Sequence, residues 1–271
     1  MKNLKQRIAL LISLFVAGIV SINAQEFEGK AVYQSAMKMQ GFAFKEEGIS
    51  SEMEEQIKQQ MAKQFQKEYE LTFNLNESTW KEAASLSGGM ARISVGGVVI
   101  LMDNEEGGLT YKNIAENLFM QEKELFGKPF LVNDQLELRE WEFTQESKKI
   151  GNYTAYKAIY TDLIESMSMS FNSDLDEDQM EKVMDTIKIE AWYTPEIPVS
   201  QGPPEYWGLP GLIMEINDGS MSYVCTKVIL NPEDKIKIKK PSKGKTLTRV
   251  ELQKIREEKT QEMKNKYKNE K

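Results

Sequence analysis

Histidine is absent from this 271-residue chain and cysteine occurs once, at position 225. Without imidazole there is no Ser-His-Asp triad, no Cys-His pair and no His-liganded zinc, because the commonest neutral-pH base and the commonest transition-metal ligand are both missing. A lone thiol also excludes four-cysteine zinc and Cys-X-X-Cys redox chemistry, and it forms no internal disulfide. Cys225 is expected to be a buried apolar filler, with an intermolecular thiol as the other reading. Catalysis by carboxylate, lysine or tyrosine stays open, but no local signature of it is present.

Long apolar runs are scarce as well. One opens the chain: Lys2, Lys5 and Arg7 precede an apolar stretch from Ile8 to Val20, followed by Ser21-Ile22-Asn23-Ala24. Charged start, short apolar centre and small residue at the cut are the three parts of a secretory signal, and the stretch is well short of the roughly 20 residues that span a bilayer. The expectation is cleavage near Ala24, a soluble periplasmic or secreted product and no transmembrane segment after cleavage.

Losing three signal cations takes the formal charge from −7 to −10, and the charge left is uneven. Residues 235–271 hold fourteen Lys/Arg against five Asp/Glu, which puts −19 on residues 25–234. An acidic body argues against nucleic acid. The basic tail has two readings, a contact for anionic lipid or polysaccharide and a solvated helix face.

Short period-two runs dominate the rest, as strands with one buried face require. They lie at 27–39, 69–75, 78–86, 91–95, 98–102, 109–114, 141–144, 153–161, 187–193 and 220–230. Met53, Ile57, Met61 and Phe65 recur every fourth position and predict an amphipathic helix over 51–66 with Ser50 or Ser51 as N-cap. A second helix is expected from Ser173, carrying Met180, Val183, Met184 and Ile187. A third is expected from Thr248, where Thr248 and Glu251 have capping-box spacing, with fraying beyond Lys264.

The fold expected is α+β and β-dominated: a curved antiparallel sheet, a half-barrel-like meander, with two or three accessory helices. The domains expected are a signal peptide at 1–24, a single β-rich domain at 25–245 and a basic C-terminal helix or tail at 246–271.

Two weaker patterns concern metals. Asp174, Asp176 and Asp178 imitate the start of a calcium loop, but Gln179, Lys182 and Asp185 stand where glycine, a ninth ligand and glutamate belong. Met37/Met39 and Met167/Met169 are thioether pairs of the kind that soft Cu(I) accepts, and residues two apart on a strand share a face. They would equally well share a core.

From Ala191 the chain reads AWYTPEIPVSQGPPEYWGLPGLIMEINDG. The string Gly208-Leu209-Pro210-Gly211-Leu212-Ile213 resembles the hallmark of the GLPGLI family of exported proteins, found mainly in Bacteroidetes. GKPFLVND, Trp141 and KKIGNYTAYKA resemble its upstream segment, so the likeness runs from about Tyr111 to Lys254. Family members often have cysteine where this chain has Ala155, so no role of that thiol is inherited. The resemblance implies export and no particular enzyme class, cofactor or metal.

In physical terms, Leu209-Pro210-Gly211-Leu212 fits a type II turn, with φ > 0 at Gly211. Asp218-Gly219 then suggests a two-residue hairpin turn. The motif therefore reads first as a rigid structural corner. Trp192, Tyr206, Trp207 and Leu209 are the candidate ligand-binding residues beside it. The functional expectation is a non-enzymatic envelope protein that binds an apolar molecule, a peptide or an envelope partner on its curved sheet. The alternatives are Cu(I) or other metal handling and a histidine-free carboxylate enzyme.

Overall fold

The computed structural model describes residues 27–37, 50–83, 91–95, 98–102, 108–166 and 183–269. The signal segment, Met39, Met167, Met169 and the Asp174–Asp178 run lie outside the described residues.

The described residues form fourteen strands: β1 (Glu28–Met37), β2 (Glu68–Asn74), β3 (Glu77–Glu82), β4 (Ala91–Val95), β5 (Val98–Met102), β6 (Thr110–Asn113), β7 (Leu118–Leu125), β8 (Lys128–Gln135), β9 (Glu142–Ile150), β10 (Tyr153–Ser166), β11 (Val183–Thr194), β12 (Leu212–Asn217), β13 (Met221–Leu230) and β14 (Lys245–Leu247). The helices are α1 (Ser51–Gln64) and α2 (Arg249–Asn269). Twelve strands form one open sheet in the order β14-β8-β7-β6-β3-β2-β1-β13-β12-β11-β10-β9, while β4 and β5 pair by themselves. The sheet consists of two meanders joined where β1 meets β13, with Gly29 opposite Leu230 and Met37 opposite Met221. Among the described residues only the β14–β8 pair is parallel.

Chain length forces the curvature. Strands β8 and β9 stand ten strand positions apart, roughly 48 Å on a flat sheet. Yet only residues 136–141 connect them, and that link reaches about 25 Å when fully extended. The sheet is bent until its two rims lie within that reach, and it stops short of a barrel.

Its inner face carries alternate residues of neighbouring strands: Ala31 and Tyr33, Tyr69, Leu71 and Phe73, and Trp80, all buried. Tyr69 stacks on Trp80 at 4.9 Å, and Tyr223 meets the Trp80 ring edge-on at 5.6 Å. A second apolar cluster of Phe119, Phe130, Val132, Trp207, Leu247 and Leu252 fills the β7–β8 end. Cys225 is buried in the main core, which pushes its thiol up to about 12.

Helix α1 forms as expected, with the Ser50 hydroxyl accepting from the Met53 N–H at 3.2 Å and Ile57 and Met61 buried. Helix α2 has its capping box: Thr248 N–H donates to Glu251 at 2.7 Å, and Glu251 N–H donates to Thr248 Oγ1 at 3.2 Å. It continues through Asn269. The helix expected from Ser173 is corrected over its second half. Val183, Met184 and Ile187 lie on β11, which pairs with β10 along Ser166–Tyr156. A continuous ladder with β10 along this stretch outweighs an ambiguous apolar spacing.

Candidate functional site

Between β11 and β12 the chain leaves the sheet, runs through Pro195–Gly211 and lies inside the curve. Proline dictates its shape. Val199 N–H donates to the Ile197 carbonyl and Gly211 N–H to the Leu209 carbonyl, both at 2.8 Å, so Pro198 and Pro210 each centre a three-residue turn.

The expected type II turn is therefore not the one formed. Leu212 N–H bonds to Ile197 O instead, and the left-handed residue is Gly208, at φ 89°. Gly211 is needed for another reason: a Cβ there would sit 2.1 Å from the Thr194 carbonyl oxygen. The hairpin turn is also displaced by one residue. Asn217 pairs with Ser222, so Gly219-Ser220 form the turn, with Gly219 at φ 90° and the Asp218 carboxylate accepting from Ser220 and Met221 N–H.

Polar groups from distant strands hold this segment. Lys112 on β6 is fully buried, and its ammonium donates to the carbonyls of Gly202 at 2.8 Å, Pro203 at 3.0 Å and Tyr206 at 3.2 Å. Burial pushes its pKa down to about 7, while Glu205 pulls it up and Arg139 pulls it down. On the adjoining strand, Ser78 pairs with Lys112 in register and donates to the side chain of buried Gln201 at 2.7 Å. Tyr33 donates to the Ile213 carbonyl at 2.7 Å.

The rims are bridged here as well. Arg139 lies between the rings of Tyr160 and Tyr206, 5.2 and 5.1 Å from their centroids, and donates to the Glu205 carbonyl. Trp141 Nε1–H donates to Trp207 O, and Trp207 Nε1–H donates to Glu137 O. Arg249, at the start of α2, pairs with Glu205 at 2.9 Å.

The sequence-predicted residues thus divide. Leu209, Leu212 and Ile213 are fully buried, Tyr206 and Trp207 nearly so, and together they pack the interior. Trp192 is half-buried at the margin of the main core, with the Lys148 ammonium 4.3 Å above its ring and Lys148 paired to Glu215. Of the four methionines in the thioether pairs, Met37 is described. It is half-buried on β1, opposite Met221.

An aromatic cluster that includes none of the candidate ligand-binding residues lies at the β9 rim. Phe143 and Tyr193 meet edge-on at 6.0 Å, and Tyr156 lies 6.3 Å from Tyr193. Phe143 is 61% exposed and Tyr156 40%. The cross-strand pair Tyr156–Tyr193 and the pairing of Phe143 with Ala158 assemble it from three strands. Tyr156 and Tyr193 stand in the quoted KKIGNYTAYKA and AWYT strings, but their meeting with Phe143 depends on strand register, which the sequence does not show.

Among the described residues no helix is long and apolar enough to cross a membrane. No curated protein matches the chain. Among solved structures, PNGF-II in its C2 and P21 space groups is similar at a TM-score of 0.46 and 16% identity, over 84% of this chain and 32% of that one. The chain thus spans about a third of the length of those structures. Residues 141–215, which run from Trp141 through the GLPGLI string to Glu215, match a family described as "Protein of unknown function (Porph_ging)".

Proposed function

We propose that this chain is an exported, non-enzymatic envelope protein of the GLPGLI type that binds a partner protein or apolar ligand through the Phe143–Tyr156–Tyr193 cluster. The observation that carries this reading is the exposure of Phe143 and Tyr156 beside Tyr193 on a sheet whose interior is packed by the chain's own proline-rich segment. Exposed aromatics grouped on a rigid sheet are the kind of anchor that binding surfaces use, since they contribute large contact area at little entropic cost. The polar groups inside the curve are engaged in holding Pro195–Gly211, a structural task. Residues 1–24 support export.

The test places a photo-crosslinking amino acid at Tyr156, or at exposed Leu75 as control, in the native host. A discrete adduct from position 156, absent at 75 and lost with Phe143→Ala, is expected. Identical patterns at both positions, or recovery of the protein in the cytoplasmic fraction, would overturn the reading.

A further inference from the structure

After β13 the chain does not go straight to α2. Residues 235–244 run as a strap from Glu28 of β1, past Tyr111 of β6 and Glu122 of β7, and end in β14 beside β8. Ile236 and Ile238 are half-buried, Lys235, Lys237 and Lys239 are exposed, and Pro241 is buried. The alternation over residues 235–239 places Lys237 and Lys239 on one outward side, about 6.6 Å apart as in an extended chain, and beyond buried Pro241 Lys243 and Lys245 are exposed as well.

The strap backbone is pinned along its length. Ile236 N–H donates to Glu28 at 3.1 Å, and the N–H groups of Ser242 and Lys243 both donate to one Glu122 oxygen at 3.1 Å. Lys240 pairs with Glu116 at 3.1 Å and lies over the Tyr111 ring. Gly244, at φ 109°, lets the strap close on Phe130, whose backbone nitrogen would be 2.6 Å from any Cβ there. These carboxylates are occupied from beneath by the strap itself, and Lys245 also draws the Glu251 carboxylate of the helix cap.

We infer that the exposed Lys237, Lys239, Lys243 and Lys245 of this segment are a docking track for a linear anionic polysaccharide. Charge complementarity selects the occupant. Four exposed cations within nine residues on a pinned backbone suit a polymer with carboxylate or sulfate groups along its length, and the fixed backbone lowers the ordering cost of binding. A flat anionic membrane fits less well, because it would meet the body that carries −19 on residues 25–234. This surface lies on other strands than the aromatic cluster and does not depend on the reading above.

The test uses the mature chain and polygalacturonate as probe, with affinity measured by calorimetry across a salt series. Wild type is expected to bind at low salt and to weaken steeply as salt rises. The Lys237→Gln/Lys239→Gln/Lys243→Gln/Lys245→Gln variant is expected to lose about tenfold or more in affinity and to show a flatter salt dependence. The pair Lys237→Gln/Lys239→Gln, checked for an unchanged melting temperature, is expected to show an intermediate loss. Absence of binding at low salt, an affinity unmoved by either variant, equal loss from Lys254→Gln/Lys259→Gln on α2, or binding to phosphatidylglycerol vesicles with polygalacturonate ignored would each overturn the assignment.

Discussion

Replacing Lys112 by methionine keeps the length of the side chain but removes the donor for three buried carbonyls. Each carbonyl left without a partner costs about 1 kcal/mol or more, so the variant forfeits about 3 kcal/mol of hydrogen bonding made by the ammonium, and the cost of burying that charge is set against it. The size of that subtraction depends on pH. The native value, near 7, lies below the ordinary 10.5, so between those limits the unfolded chain binds more protons than the folded one. Wild-type stability therefore rises with pH across that window, and below it the burial penalty is constant. One group with this shift contributes about 2 kcal/mol between about pH 7 and pH 9. Methionine does not titrate, so the gap between the two proteins should widen by about 2 kcal/mol over that range. Urea titrations followed by tryptophan fluorescence at both pH values give the gap directly, provided the denaturant slopes agree. A gap that stays constant or narrows would mean that the cradle keeps Lys112 charged at its ordinary value, and the argument from burial would be wrong.

Two further outcomes follow from the packing. Gly211→Ala drives a methyl into the Thr194 carbonyl, which is backbone and cannot turn aside, for a loss of about 3 kcal/mol. Gly208→Ala meets no atom within 4 Å and suffers only its left-handed φ, at about 1–2 kcal/mol. Denaturant midpoints in the reverse order would refute this division of labour. The Cys225 thiol, buried and pushed up to about 12, should resist maleimide in the native state and react at the rate of unfolding. Prompt labelling of native protein near neutral pH would place it at the surface.

Much of the sheet was legible because one-sided burial imposes period two, as in Ala31 and Tyr33 or Tyr69, Leu71 and Phe73. The two helices were legible from Ser50 and from the Thr248–Glu251 cap, which are local devices. The β7–β8 hairpin was missed. Its turn is Phe126-Gly127, both at positive φ, where asparagine or aspartate is the usual first residue. Strand β14, three residues long and parallel, leaves no pattern at all. Lys112 was beyond reach for a different reason: its three acceptors lie some ninety positions away. The GLPGLI string was recognisable, but what its glycines do depended on which backbone they would approach, and only the folded neighbour Thr194 decides that.

The pairing of β1 with β13 sets a temporal order as well as a spatial one. Gly29 must wait for Leu230, so a ribosome or a translocation pore delivers nearly the whole polypeptide before the first strand acquires its second neighbour. Until then β1 presents an open ladder beside β2, the condition in which nascent chains cross-pair, and closure of so distant a contact is slow. A molecule wired this way depends on protection during its synthesis more than its finished stability would suggest.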